Sequence, residues 1–372
     1  MSDIRRVLLV QPQSGARWRS IAAYSHSLEG MLRSAGIEVA IAEAPWFNPP
    51  SIAWGLLGRW TRQASVQAAR EGDFDIVHLT DQALAHHVAR FLGKAAVVVT
   101  CHDLMPFTTP GYYASAREAR LKRFFLRRSI PGLRRADAMI AVSAFTAGES
   151  QSFAGVPAKL IEVVPNVVRP GFEPLARAQA EAALAAAGIA LPRAPRVLSV
   201  GNDRAYKNLP ALFGAMAGAE LNDVALVRAG PLTSAHLSLI ERLGLVGRVR
   251  SLAGLDDSKL GLVYAACDVL AQPSLAEGFG IPVIEAMACG LPVVASDGGA
   301  LPEVVSDAAE VVPLSGLDFP ARFAAGLARA LHSREAMAAV GVERAKAFAP
   351  EVVLPRLLAA YEAALACRKA RE

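Results

Sequence analysis

Two glutamates, Glu277 and Glu285, flank a loop almost bare of side chains in "PSLAEGFGIPVIEAMACG", residues 273–290, and the residues between them include Gly278, Gly280 and Pro282. Pro282 suits the first turn of a helix, where its missing N–H has no intrahelical partner, and Gly290 suits the position just past a helix end. The pattern predicts a short helix from Pro282 to Cys289, with Glu277 before it and Glu285 in its first turn. The apolar runs "CDVLAQPS" and "LPVVASD" on either side read as buried strands. In such a unit the glycine loop lies at the carboxyl end of a sheet, and the first N–H groups of the helix form an anion site. A carboxylate beside a phosphate is repelled by it, so the pair is suited to accepting hydrogen bonds from neutral hydroxyls on the flanks of the anion. A nucleotide-sugar has such hydroxyls on both sides of its diphosphate. The plain alternative is that Glu277 caps the helix and Glu285 is a solvated surface residue or a partner of the helix dipole.

Further candidates lie at other predicted strand ends. "SVGNDRAYKNLPAL" follows a strand. Its Gly201 permits a tight turn, and Lys207 precedes a helix opened by Asn208 as a side-chain cap and by Pro210. Lys207 there can place a point charge on a diphosphate as it departs, with Arg204 as a second cation. "VVVTCHDLMPF" puts His102 and Asp103 where a hydrophobic strand exits, and "QPQSGARWRS" offers Gly15 for close ligand approach with Arg17 and Arg19 for an anion. Asp73 and Asp75 in "GDFDIVHL" enter a strand from its opposite end and read as a solvated turn rather than a metal site.

These residues need a scaffold that presents strand ends. The first half contains "RVLLVQ", "IEVAIA", "FDIVHL", "AAVVVTCH", "AMIAVS" and "LIEVVP", with helix-capable stretches at 20–34, 54–70 and 114–128. The second half repeats the rhythm with "RVLSVG", "ALVRAG", "RVRSLAG", "DVLAQPS", "PVVASD" and "AEVVPL". Alternation of this kind predicts an α/β chain of two doubly wound, mostly parallel, Rossmann-like sheets, with their strand ends lining a shared cleft. Residues 1–170 read as the first domain, 171–195 as a proline-rich connector, 196–350 as the second domain, and 351–372 as a helix returning to the first.

At 372 residues and 53% hydrophobic content the composition is that of a globular protein with a proper core in each domain. Cys101, Cys267, Cys289 and Cys367 are scattered singly, with neither disulfide nor metal spacing, which fits a reducing cytoplasm. No apolar run has the length of a signal peptide core or a membrane span. Residues 1–170 hold 20 Lys and Arg against 13 Asp and Glu, net +7, whereas the remainder is net −2.

Together "GNDRAYKNL", "HDLMPF" and the long run from "GLVYAACDVLAQPSLAEGFG" to "GGALPEVV" resemble the retaining family 4 glycosyltransferases of GT-B fold, over most of the chain and most densely from Arg196 to Pro313. The resemblance implies that Glu285 holds the nucleotide ribose and that Glu277 lies at the donor sugar. It also implies that the loop of Gly278, Phe279, Gly280 and Ile281 meets sugar and diphosphate through its backbone, that Lys207 meets the phosphates, and that His102 touches the donor sugar. It implies transfer by front-face attack, without a metal or other cofactor, the nucleotide-sugar being a substrate. One departure stands out: many members have Arg directly after the glycine of this strand, whereas this chain has Asn202, leaving Arg204 as a candidate substitute.

The expected activity is transfer of a hexose, with GDP-mannose favoured over UDP-sugars, to a glycan or lipid-linked acceptor in bacterial polysaccharide assembly. A nucleotide-sugar epimerase or hydrolase of the same fold is the alternative. A basic nucleic-acid-binding protein is a weaker one, since no nucleic-acid module appears. Residues 117–135 place eight Lys and Arg around Phe124, Phe125 and Leu126, and "WGLLGRWTR", residues 54–62, adds Trp54 and Trp60. These two stretches read as a peripheral contact with an anionic membrane at its cytoplasmic face.

Overall fold

The computed structural model describes residues 4–12, 19–44, 73–91, 93, 95–109, 112–113 and 116–371. Gly15, Arg17 and the stretches 54–62 and 54–70 lie outside the described residues, and so does the side chain of Arg19. The chain divides into two compact units. Unit 1 comprises Met1–Thr108, Ser115–Val167 and Pro350–Glu372, and unit 2 comprises Thr109–Ala114 and Val168–Ala349.

Unit 1 is built on β1 (Arg6–Pro12), β2 (Glu38–Ala44), β3 (Ile76–Leu79), β4 (Ala96–Cys101), β5 (Ala138–Ala141) and β6 (Ile161–Val163), all parallel, in the order β2-β1-β3-β4-β5-β6. A parallel sheet covered on both faces needs strands that are apolar on both, and every residue of β4, "AVVVTC", is buried. Alternate residues go to opposite faces. Val7, Leu9, Ile76, Val98 and Ile140 pack with Leu28 and Leu32 of the helix Arg19–Ser34 and with Leu357 and Tyr361 of the helix Pro350–Lys369. Leu8, Val10, Val77, Val97 and Val99 face the second core with Leu84, Val88 and Leu133. The terminal helix is thus part of unit 1's core despite its distance in sequence.

Unit 2 is built on β7 (Arg196–Val200), β8 (Ala225–Ala229), β9 (Val249–Leu252), β10 (Val269–Gln272), β11 (Val293–Ser296) and β12 (Glu310–Val312), in the order β12-β11-β10-β7-β8-β9, again parallel. Chain direction across this sheet reverses between β7 and β10, which puts the crevice favoured by ligands at their carboxyl ends. The helices Leu209–Met216 and Phe319–His332 cover one face through Leu212, Phe213, Phe323 and Leu327. The stretch 171–195 falls within unit 2 and carries the helix Arg177–Ala186, with Ala180 and Leu184 buried. No helix among the described residues is long and apolar enough to cross a membrane.

Three aspartates latch the sheets at their amino-terminal edges. Asp75, just before β3, accepts from the N–H groups of Arg5 and Arg6 at 2.7 and 2.9 Å. Asp137, just before β5, accepts from Val97 N at 2.8 Å, and Asp268, just before β10, from Arg196 N at 2.8 Å. In each case the carboxylate satisfies an N–H where a neighbouring strand begins. This corrects the reading of Asp73 and Asp75 as a solvated turn: the Asp75 side chain and the Asp73 carbonyl, which accepts from Arg6 Nη1, both hold β1.

Asp268 also pairs with Arg177 at 2.6 Å and Arg334 at 2.8 Å. Asp268→Ala is expected to destabilise unit 2 by about 2–3 kcal/mol, since a buried N–H and two guanidinium groups lose one acceptor. Asp75→Ala, at a more exposed edge, should cost about 1 kcal/mol. Urea unfolding followed by circular dichroism checks the ranking, and equal losses would refute it.

Candidate functional site

Two loops leave the carboxyl ends of β7 and β10 and are tied to each other. After β7 the chain turns at Gly201 and forms the short 3-10 turn Ala205–Lys207. After β10 it runs through Pro273 and Ser274 to Glu277 and Gly280, where the helix Ile281–Ala288 begins. Leu275 N donates to Tyr206 O at 2.7 Å and Asn208 Nδ2 to Pro273 O at 3.1 Å. Asn208 therefore does not cap the following helix with its side chain, as the sequence suggested. It takes the left-handed conformation, φ 54°, which Asn tolerates better than most residues, and its amide serves the cross-loop bond.

The joined loops hold Lys207 and Glu277 as a buried ion pair, Nζ to Oε1 2.7 Å, with side-chain exposures of 9% and 8%. Gln272 Nε2 at 2.6 Å and Ser274 Oγ at 2.7 Å donate to the same oxygen. Three donors converge on Oε1, and Oε2 receives none from the described residues. Gly201, φ 132°, is required here: a Cβ at that position would sit 3.3 Å from Lys207 Cε and 3.4 Å from Nζ. Gly298 and Gly299 brace the second loop from β11, since a Cβ on either would strike the backbone of Ser274, Leu275 or Glu277 within 3 Å. Burial works against the Lys207 ammonium, but the Glu277 and Tyr206 fields and the Glu277 hydrogen bond outweigh it and raise its pKa above the ordinary lysine value.

Glu285 is placed differently. It is the fifth residue of Ile281–Ala288 and so lies beyond the first turn, where the sequence had put it. The helix starts and ends one residue earlier than predicted. At 1% exposure its carboxylate is enclosed by partners: Arg169 Nε at 3.0 Å and Nη2 at 2.5 Å on Oε1, and the Tyr264 hydroxyl at 3.0 Å on Oε2. Arg169 also donates to Asp257 at 2.5 Å. Burial opposes the charged guanidinium, and the two carboxylates more than restore it. The two glutamates of the opening motif therefore sit in separate surroundings: Glu285 has both oxygens engaged, whereas Glu277 is held through Oε1.

Arg204 reaches neither pair. Its guanidinium lies 5.0 Å over the ring of Tyr112, which stacks on Tyr206 at 5.3 Å and 2° between planes. Lys207 Nζ is 5.4 Å from the Tyr206 ring centre on its own account. Phe279 is buried against Phe348, ring centres 5.6 Å apart, so its side chain anchors the loop and leaves only backbone for other contacts. Gly280, φ 106°, sits at the helix N-cap, Gly278 is buried in the loop, and Ile281 opens the helix.

In unit 1, His102 follows β4. Its backbone N–H donates to Gln82 Oε1 at 2.9 Å, and the Gln82 amide donates back to Asp103 O at 3.0 Å, so one side chain fixes the His-Asp turn. Ring Nε2 donates to the Thr80 carbonyl at 2.9 Å, which leaves Nδ1 as an acceptor, and Tyr24 packs edge-on at 4.7 Å. Burial lowers its pKa to about 4, so His102 is a neutral hydrogen-bonding group at neutral pH. Under it, Tyr361 bonds His78 at 2.8 Å, His78 bonds Thr100 at 2.7 Å and Thr100 bonds Tyr24 at 2.9 Å.

Sequence reasoning missed Gln272, Ser274, Arg169, Tyr112, Tyr206 and Arg228. Only Arg228 carried a local signal, a lone charge inside the apolar run "ALVRAG".

The family model for glycosyl transferases group 1 matches residues 189–347, and that for glycosyltransferase family 4 matches residues 20–172. Among curated relatives, the D-inositol 3-phosphate glycosyltransferase of Segniliparus rotundus is 35% identical over 241 residues, 62% of this chain and 53% of its own length. The MMP alpha-(1->4)-mannosyltransferase of Mycolicibacterium hassiacum is 28% identical over 243 residues, 61% and 54% of the two chains. The chain thus spans about half the length of these curated relatives. Of solved structures, sucrose-phosphate synthase from Thermosynechococcus elongatus aligns with a TM-score of 0.77 at 20% identity, covering 96% of this chain and 98% of that one. Anabaena HepE in complex with UDP and glucose aligns with a TM-score of 0.71 at 20% identity, covering 95% and 98%. These likenesses bear out the two-domain GT-B architecture.

Breaking a buried ion pair from one side strands the other charge, whereas removing both does not. Lys207→Met and Glu277→Leu are each expected to destabilise the protein by about 3 kcal/mol, and the double variant to lose clearly less than their sum. Thermal and urea unfolding of the four proteins checks this. Strict additivity would mean that the pair is not coupled.

Proposed function

This chain belongs to family 4 of the glycosyltransferases, and from that premise we propose that it transfers a hexosyl group, with retention, from a nucleoside diphosphate sugar to a glycan or lipid-linked acceptor. The observation that carries the reading is the Lys207–Glu277 pair at the point of unit 2 where strand order reverses. An ammonium has three donors, and among the described residues Lys207 uses one, on Glu277. It can therefore hold a phosphate oxygen while keeping its carboxylate, and stabilise the charge that grows as the nucleoside diphosphate leaves. Glu277 Oε2 suits a sugar hydroxyl. Three hydrogen bonds on Oε1 make the carboxylate a poor nucleophile, which favours a positioning role over a covalent glycosyl-enzyme and agrees with front-face transfer. In unit 1, neutral His102 keeps Nδ1 as a hydrogen-bond acceptor.

GDP-mannose is the preferred donor on this reading. The mannosyltransferase among the relatives supports it, while HepE bound to UDP and glucose makes UDP-glucose the comparison. Nucleic-acid binding and epimerisation have no corresponding observation. A panel of GDP-mannose, UDP-glucose and ADP-glucose tested for protection against thermal unfolding identifies the donor. At about 100 times its dissociation constant the right one adds about 2.7 kcal/mol, a rise of roughly 5–10 °C for a unit of this size. No shift with any of the three, and no sugar transferred, would overturn the proposal.

A second element of the reading is contact with an anionic membrane at the cytoplasmic face. In the helix Ala116–Leu126 and the residues after it, Arg117, Arg120, Arg127, Arg128, Arg134 and Arg135 are exposed. Phe124 is 56% exposed, with Arg128 5.0 Å over its ring. Arg123 serves the fold, donating to Pro106 O at 2.7 Å. Basic residues at an anionic surface each contribute about 1 kcal/mol. Replacement of Arg120, Arg127 and Arg128 by Glu is expected to abolish co-sedimentation with phosphatidylserine vesicles at low salt. Equal sedimentation with neutral vesicles would leave a soluble acceptor as the better reading.

A further inference from the structure

Among the described residues Arg228 is the largest fully buried side chain; it lies on β8, between β7 and β9, and no carboxylate of the described residues pairs with it. Nη1 donates to Ser199 Oγ at 3.1 Å, and Nη2 donates to the carbonyls of Gly201 at 2.8 Å and Asn202 at 2.6 Å. Nε has no partner among the described residues. Asp203 acts on it only through space, and burial lowers its pKa to about 10. A charge kept this deep without a direct counter-ion is costly unless something else requires it.

The peptide plane shows what it does. In a trans peptide the C=O and the following N–H point in opposite directions. Because the carbonyls of Gly201 and Asn202 turn toward Arg228, the N–H groups of Asn202 and Asp203 turn away from it. Neither N–H has a hydrogen-bond partner among the described residues, although Gly201 N is bonded to Ala229 O and Arg204 N to Asn202 Oδ1. Successive outward N–H groups form a concave anion-binding nest. The close approach behind it is enforced: Gly230, φ 151°, could carry no Cβ, which would lie 2.0 Å from Gly201 O. The Asn202 side chain is engaged locally, with Oδ1 on Arg204 N and Nδ2 on the Tyr206 hydroxyl at 3.3 Å. Around this loop three cations, Arg204, Lys207 and Arg228, face two carboxylates, Asp203 and Glu277, leaving one positive charge over.

We infer that the Asn202 and Asp203 amides, aimed by Arg228, form a phosphate nest beside Lys207, in which a cation behind the backbone takes the place of an arginine side chain at position 202. Arg228 is a positioning residue that does not touch the ligand. The inference rests on the proposed donor chemistry and names where the diphosphate of that donor is held.

The test compares full-length wild type, Arg228→Met and Arg228→Lys. Calorimetry with GDP and UDP against guanosine and uridine separates diphosphate from nucleoside binding, and amide hydrogen exchange with inorganic pyrophosphate reads the nest directly. Arg228→Met is expected to weaken the diphosphates about tenfold or more while leaving the nucleosides within about twofold, and to flatten the salt dependence. Arg228→Lys should recover part of the loss. In wild type, pyrophosphate should slow exchange at Asn202 and Asp203, a measurement that stands even if Arg228→Met does not fold. Equal weakening of nucleoside and diphosphate, or no protection of those amides, overturns the nest. Protection by pyrophosphate in a wild type that binds no nucleoside diphosphate keeps the nest and overturns the functional reading instead.

Discussion

An ammonium and a carboxylate 2.7 Å apart, both almost out of contact with water, are not held there by their attraction alone. Desolvation of two ions consumes most of the Coulombic gain, so such a pair persists only where other groups complete its hydrogen bonds and the backbone leaves it no alternative. Gln272 and Ser274 complete the bonds, and the Leu275–Tyr206 and Asn208–Pro273 contacts hold the two loops in register. The glycines at 201, 298 and 299 are consequences of this arrangement: Gly201 takes φ 132° close against Lys207, and a Cβ on Gly298 or Gly299 would strike the backbone of residues 274–277.

The pair in turn depends on the sheet. β7 and β10 are neighbours although separated by two strands in sequence, and only this order brings the loop after residue 200 beside the loop after residue 272. Asp268 fixes that neighbourhood from the other end by bonding the first N–H of β7. Acidic residues thus serve opposite ends of the same strands in different ways: at the amino-terminal edge they close the backbone, and at the carboxyl edge Glu277 holds a buried ammonium. Asp75 and Asp137 repeat the first role in unit 1.

Charge in unit 2 is divided among depths. Lys207 is buried between the two loops with its carboxylate, Arg228 lies within the sheet with carbonyls for partners, and Arg204 rests on the Tyr112–Tyr206 stack. Each cation is fixed by a different physics, an ion pair, backbone dipoles and a ring quadrupole, so the three are not interchangeable. Glu285 forms a separate centre with Arg169 and Tyr264, and the carboxyl motif of the glycine loop resolves into two independent electrostatic sites.

Periodicity and punctuation alone were enough to place the twelve strands found among the described residues and the parallel α/β class, because a doubly covered strand must be apolar on both faces and a run such as "AVVVTC" has few other uses. The same local rules marked Gly201, Lys207, Glu277 and Gly280, since each stands where a strand ends. What the linear pattern could not contain was partnership. Lys207 and Glu277 are seventy residues apart, Arg169 and Glu285 more than a hundred, and nothing in either neighbourhood announces the other. Nor could it tell that the Asp75 carboxylate closes β1, or that Asn208 bonds across a loop instead of capping a helix. Local sequence sets backbone conformation through sterics and burial through hydrophobicity. Which buried charges meet, and which amides are left facing outward, follows only from strand order, and strand order is a property of the whole folded sheet.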